Sequence, residues 1–408
     1  MRLFSDSLEA RFLDRPNRFL VRALAPGLGG EILSAHCANP GRMRELLLPG
    51  AHLLLEPAAD SPGRKTAWTL AAARYRGKII PLRSVQANRI AAELLIPRLF
   101  PDLISLTPEV TCGRSRLDFL VRTPREESYL EVKACTLVEE QTAMFPDAPS
   151  ARALRHLEEL AELSGPHGRR SRILVVVMNP EAKRFLPNIH TDPEFSRRLL
   201  ELRERVNVLA ASIRVDECGN AAVHNIDLPV DFQAAEENTG ARGAYLLVVP
   251  VHRGITLQAG ALPPVKLEKG NYVYVGSAMK NLEARLRRHR HRHKRLHWHI
   301  DYLLASPACG PAVALPIRSA RRLECLLASD LAGLAQARVA GFGSSDCRCS
   351  SHLFFWAENP LVSPAFLDLL ARYRHKEALR RESGQAPASP GAQNPCISAE
   401  SARSGNRH

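Results

Sequence analysis

Asp118, Glu131 and Lys133 are the residues of this chain whose types and spacing could do chemistry. They lie in two apolar-rich runs, RLDFLV and YLEVKAC, that read as neighbouring strands. Side chains alternate along a strand, so Glu131 and Lys133 project from one face while Leu130 and Val132 project from the other. Burying the two apolar residues forces the two ionisable groups together, beside an Asp on the expected hairpin partner. Two carboxylates and one ammonium can hold a divalent cation and position water against a phosphodiester. The carboxylates would take the ion, and Lys133 would steady the phosphate. The plainer alternative is a solvated strand carrying a cross-strand ion pair.

The elements that must position these groups follow from the apolar pattern. From Phe19 to Leu82 short stretches (FLVRALA, EILSAHC, HLLLEP, AWTLAAARY) are punctuated by Pro, Gly and Asn, as in a small β-barrel. From Ile90 the texture becomes α/β: AAELLIPRLF as a short helix, ALRHLEELAELS as an amphipathic helix and RILVVVMN as a buried strand. A helix from about Pro193 to Arg205 and the strand VNVLAASIRV complete this part. The polar stretch 227–242 reads as a linker. After it come GAYLLVVPV and NYVYVGSAM as strands, a basic helix from about Asn281 and a helix near 320–334. The small, polar segment 376–408 reads as a disordered tail. The expected organisation is therefore a barrel at 1–84, an α/β domain at 85–226, the linker, and a further domain at 243–375.

Length and charge set the class. A chain of 408 residues is long enough for two or three folded units, and its 45% hydrophobic content is that of a globular protein. A formal net charge of +14, from 56 Lys and Arg against 42 Asp and Glu, favours a polyanionic partner. Nine widely spread cysteines form no evident disulfide framework, so a reducing compartment is expected. The charged start lacks the apolar core of a secretory signal, and the longest apolar runs are strand-sized. A cytoplasmic protein with no membrane association is expected.

Asp118, Glu131 and Lys133 match the D…(E/D)-x-K core of PD-(D/E)XK nucleases, with Leu117 where that pattern ordinarily has Pro. A longer resemblance surrounds them. RPNRFLVRA (15–23), AHCANPGRM (35–43), ANRIAAELL (87–95), SRLDFLV (115–121), YLEVKACTL (129–137), MFPDAPSARALRHLEEL (144–160) and HTDPEFSRRL (190–199) resemble the sugar fermentation stimulation protein A family. The resemblance implies an OB-like barrel, a PD-(D/E)XK nuclease-like domain and DNA binding, with Asp118, Glu131 and Lys133 as the site and Glu109 as a further acid. In the barrel, Arg18, His36, Asn39, Arg42, Arg64 and Lys65 sit in or beside turns and are candidates for phosphate contact. Phe19 and Trp68 could stack on bases or could belong to the core.

Gly243-Ala244-Tyr245 and Tyr274-Val275-Gly276, with the helix that follows, resemble the GIY-YIG nuclease family. The later stretches 297–304 and 341–355 resemble a functionally undefined branch of it. Carried over, Tyr245, Tyr274, Arg285 and Glu324 would form a second catalytic set, with His289 as an additional acid/base group and Glu324 as the metal ligand. The interval between the two tyrosines is long and predicts an insertion. From Lys280 to Arg295 eight Lys and Arg stand against one Glu, which makes Arg287 and Arg288 candidates for nucleic-acid contact. Cys347-x-Cys349-x-x-His352, with His297 and His299, has zinc-ligand chemistry but not a standard zinc spacing, so zinc is not expected.

The fold class expected is thus α/β and α+β multidomain, an OB-like barrel with a PD-(D/E)XK nuclease-like domain, followed by a GIY-YIG-like α+β domain. The function expected is a DNA-binding, metal-dependent endonuclease with two modules, using Mg2+ or Mn2+. Two alternatives stand beside it: a non-catalytic DNA-binding or transcriptional accessory protein of sugar metabolism, and an RNA-processing nuclease.

Overall fold

Six strands in the first 81 residues, Leu8–Asn17, Leu20–Ala25, Glu31–His36, His52–Pro57, Trp68–Tyr75 and Lys78–Pro81, pair into one sheet. Alternation along Leu20–Ala25 turns Val21, Ala23 and Ala25 inward. A parallel pairing of Ala35 with Trp68 and of His36 with Thr69 joins the third strand to the fifth and closes the sheet. The barrel expected from the turn-punctuated runs is present. The structure, a computed structural model, describes residues 1–58, 65–112, 115–165, 169–375 and 396–397.

A helical segment over 87–99, with one π turn at Ala91–Leu95, leads from the barrel to a second six-stranded sheet. Its central strands Glu127–Cys135, Arg169–Val177 and Val206–Val215 run parallel, and Ser115–Arg122 pairs antiparallel with the first of them. Helices Ala151–Leu163 and Pro193–Leu202 cover one face, capped by the Ser150 and Asp192 side chains, each accepting an N–H at 3.1 Å.

The other face of this sheet explains the first correction. Leu130, Val132, Leu174, Val176 and Ile213 pack in the same core as Val21, Leu53, Leu55 and Ile80 of the barrel. A free-standing PD-(D/E)XK-type domain at 85–226 beside a separate barrel is therefore not what the chain forms. Parting the two would expose the central sheet's apolar face, so Met1–Glu236 is one compact unit. The expected linker also divides. Phe232 and Ala235, on the short helix Phe232–Glu236, pack against Leu137, Leu186 and Leu200, and Asp231 pairs with Arg184 at 2.8 Å. That half of the stretch is anchored to the first unit.

The second unit begins at Glu237. Its sheet runs in the order Val313–Arg318, Gly243–Val251, Gly270–Ala278, Leu353–Trp356, Ala337–Val339, with Cys396–Ile397 beside the last. Tyr245, Leu247, Val249, Tyr272 and Tyr274 face a core shared with helices Leu282–Arg290 and His299–Ala305. Ala244, Leu246, Val248, Val273 and Val275 face the opposite core with helices Glu324–Ala332 and Pro364–His375. The insertion predicted between the tyrosines is a small hairpin, Ile255–Leu257 with Val265–Leu267. Apart from 396–397, the segment 376–408 expected as a tail lies outside the described residues.

Candidate functional site

The antiparallel ladder between Ser115–Arg122 and Glu127–Cys135 stops at Phe119 opposite Leu130. One residue further, a side chain replaces the backbone: Asp118 Oδ2 accepts the Val132 N–H at 2.7 Å. Its other oxygen accepts Asn88 Nδ2 at 2.6 Å, from the helical segment below the barrel. Burial pushes the Asp118 carboxyl above its ordinary value, and the nearby Glu131 charge adds to this against its two hydrogen bonds.

Glu131 lies next to it, 3% exposed. Its Oε1 accepts Lys133 Nζ at 2.7 Å and faces His156 Nδ1 at 2.5 Å, while Oε2 is buried with no hydrogen-bond partner among the described residues. Burial would raise this carboxyl, but the His156 and Lys133 contacts outweigh it and hold it below the ordinary value. The structure thus brings Asp118, Glu131 and Lys133 together and adds Asn88 and His156. Glu109 does not join them; it is exposed and pairs with Arg116 at 3.4 Å.

At the barrel, the Arg15 guanidinium organises two loops. It donates to the carbonyls of Arg18 (2.7 Å), Asn39 (2.7 Å), Gly41 (2.6 Å) and Arg42 (3.2 Å). The Arg18 and Arg42 side chains are exposed at these pinned loops, and Arg18 lies over the Phe19 ring, 4.7 Å from its centroid. Phe19 is 48% exposed and free to meet a partner; Trp68 packs against the core. Asn39 is buried and its Oδ1 accepts the Gly41 N–H at 2.9 Å, so it shapes the loop. His36 is half-buried, Lys65 is exposed, and Arg64 lies outside the described residues.

In the second unit, Tyr245, Tyr274 and His289 form a closed cluster. Tyr245 Oη lies 2.8 Å from His289 Nε2, and the two tyrosine rings are 6.3 Å apart. Gly276 lies beneath the Tyr245 ring, where a Cβ would overlap it. Burial raises both phenols above their ordinary range. It also pushes His289 down to about 3, with Lys294 adding and Asp301 opposing. All three side chains are buried, and the Tyr245 ring packs against both others.

Arg285 donates to the Ser277 carbonyl at 3.3 Å and lies 3.9 Å from the centre of the Trp298 ring. Arg288 makes a two-pronged bond, 2.8 Å each, to fully buried Asp301. Burial would raise that carboxyl, but Arg288, two backbone N–H groups and Lys294 hold it at about 2. Arg288 is thereby committed internally, while Lys280, Arg287, Arg290 and Arg295 are exposed. Glu324 Oε2 accepts from Ser277 Oγ, and its Oε1 lies 3.4 Å from His352 Nδ1. No helix among the described residues is long and apolar enough to cross a membrane.

Comparison with known proteins agrees with the first unit and redraws the second. Residues 13–82 match the family model described as the SfsA N-terminal OB domain, and residues 85–219 match the sugar fermentation stimulation protein RE domain. Residues 244–374 match a domain of unknown function, DUF123. A sugar fermentation stimulation protein homolog from Saccharolobus solfataricus is 38% identical over 229 residues, covering 56% of this chain and 87% of the relative. One from Methanothermobacter thermautotrophicus is 37% identical, over 52% of this chain and 89% of its own. One from Moorella thermoacetica is 43% identical, over 48% and 84%. A solved structure described as Pyrococcus furiosus SfsA in complex with Ca2+ is 29% identical, with a TM-score of 0.49 over 56% of this chain and 99% of that one.

Two expectations are corrected by these matches. The GIY-YIG assignment of 243–375 gives way to a domain model with no stated function, in keeping with the closed tyrosine cluster. The expected two-module metal-dependent endonuclease gives way to relatives named as sugar fermentation stimulation protein homologs, which favours the accessory-protein alternative over it. The match to both N-terminal models and the coverage of these relatives decide the family: this chain belongs to the sugar fermentation stimulation proteins.

Proposed function

We propose that the protein is a DNA-binding accessory protein of sugar metabolism, which grips the phosphate backbone at one end of its barrel and acts by binding. The observation that carries this reading is the four-carbonyl clasp of Arg15, which fixes the loops presenting Arg18 and Arg42 before any partner arrives. Preorganised cations lose little entropy on meeting a phosphate. Phe19 beside Arg18 offers a π face to a base. The excess of positive charge and the exposed Lys280, Arg287, Arg290 and Arg295 of the second unit support a further backbone contact. The relatives' names support the link to sugar fermentation.

The test is the salt dependence of duplex binding by the full chain. Each phosphate contact adds about 0.9 to the slope of log affinity against log salt. Arg18→Ala and Arg42→Ala are each expected to weaken binding and flatten that slope by about this amount. Slopes unchanged in both variants would remove the barrel end from the interface.

Asp118 and Glu131 are also proposed to hold a divalent cation, Mg2+ or Mn2+, because Glu131 Oε2 is a buried acceptor without a hydrogen-bond partner among the described residues. Bound there, the ion would supply a hard positive contact for a phosphate oxygen. Asn88 and His156 orient the carboxylates, and Lys133 balances their charge. Calorimetric titration with Mn2+ is expected to lose one binding event in Glu131→Gln. An unchanged isotherm would count against this assignment.

A further inference from the structure

Three thiols and one imidazole converge in the second unit. Cys325 comes from the helix Glu324–Ala332, Cys347 and Cys349 from the irregular stretch before the strand Leu353–Trp356, and His352 from the edge of that strand. Their ligand atoms all lie within 4.8 Å of one another. Tetrahedral zinc, with bonds of about 2.3 Å to sulfur, places its ligand atoms roughly 3.8 Å apart. Small side-chain adjustments close this set onto one ion. An iron–sulfur cluster, whose cysteines bind different irons, needs a wider set than this.

We propose that Cys325, Cys347, Cys349 and His352 form a structural zinc site. His352 is buried, with Nε2 facing Cys347 Sγ at 3.5 Å and Nδ1 facing Glu324 Oε1 at 3.4 Å. A carboxylate behind the far nitrogen of a zinc-binding histidine fixes its ring and tautomer. Glu324 is then a positioning residue, held in turn by Ser277 Oγ. The spacing of Cys347, Cys349 and His352 does not suggest zinc by itself because the fourth ligand is far away in sequence. His297 and His299 stay outside: the first is exposed against Trp298, and His299 Nδ1 accepts the Gly343 N–H at 2.9 Å.

The site has a physical role in this fold. Between Gly341 and Ser351 the chain forms no helix or strand, and a closed four-ligand ion ties that stretch to the helix and the sheet. Binding converts three thiols to thiolates and releases their protons.

The test uses the full chain purified under reducing conditions. One zinc per chain is expected by elemental mass spectrometry, falling to none in Cys347→Ser and Cys349→Ser and unchanged in Cys218→Ser, whose cysteine lies in the first unit. Should the first two variants fail to fold, cobalt-exchanged wild type gives the answer directly, through tetrahedral ligand-field bands with intense thiolate-to-cobalt charge transfer. Chelation is expected to lower the melting temperature of the second unit. A reduced wild-type chain that holds no zinc and shows no thiolate-to-cobalt band would overturn the proposal. So would zinc retained in folded Cys347→Ser and Cys349→Ser, or a disulfide among the three cysteines in the freshly purified reduced chain.

Discussion

Glu131→Ala is expected to destabilise the first unit by about 3–5 kcal/mol, the usual cost of breaking a buried ion pair from one side. Lys133 and His156 both reach Glu131, at 2.7 and 2.5 Å, and all three are largely withdrawn from water. Without the carboxylate, Lys133 keeps its desolvation cost and loses its counter-charge. The double variant Glu131→Ala, Lys133→Ala is expected to lose less than the sum of the single variants, because it removes the stranded ammonium as well. Urea unfolding in chelator measures all of these. A single-variant cost under about 1 kcal/mol would mean that water already reaches the cluster. The pH dependence has a definite sign. The folded Glu131 carboxyl lies below its ordinary value, so its contribution is present above the ordinary carboxylate range and is lost as pH falls through the folded value.

Acidification is expected to weaken the second unit well before its carboxylates titrate. An unfolded His289 takes up a proton near pH 6.5, whereas the folded one, buried against Tyr245, resists protonation until about pH 3. Between these limits the unfolded state binds one more proton, so stability rises with pH and falls on acidification, by about 1.4 kcal/mol per unit. Between pH 6.5 and 5 the wild type is therefore expected to lose about 1.7 kcal/mol more than His289→Gln, which has no proton to gain. Denaturant unfolding followed by tryptophan fluorescence at the two pH values measures the difference. Equal losses in the two proteins would show that His289 takes up its proton as readily in the folded state as in the unfolded one.

What the sequence revealed depended on how local the signal was. Period-two alternation in YLEVKAC places Glu131 and Lys133 on one face, and the strand pairing brings Asp118 beside them. His156 was hidden because, in ALRHLEELAELS, it reads as one more polar position of an amphipathic helix. Nothing in RPNR sets Arg15 apart from its neighbouring cation, and only the folded loops bring four carbonyls onto it. Cys325 is separated from its fellow thiols by the end of a helix and a strand, so no spacing rule could group them.

The larger misreadings have the same origin. Composition marks where a barrel ends and an α/β texture begins, but not that Leu130, Val132 and Val176 bury against barrel residues, so that barrel and α/β domain pack as one compact unit. In the second unit, Gly-Ala-Tyr and Tyr-Val-Gly sit on paired strands, with Gly276 opposite Tyr245. The pattern records how a tyrosine ring packs over a glycine, and a catalytic use need not follow from it.

We propose that this chain binds DNA through the end of its barrel and leaves the DNA whole. The most direct test titrates a labelled duplex with wild type and with Arg18→Ala, Phe19→Ala, Arg42→Ala combined, following anisotropy in Mg2+, Mn2+ and chelator. The DNA is then recovered from every sample and sized on a denaturing gel. The expected result is salt-sensitive binding by wild type, at least tenfold weaker in the combined variant, with full-length DNA throughout. Equal affinity of the two proteins, or metal-dependent shortening of the DNA by wild type, would contradict the account.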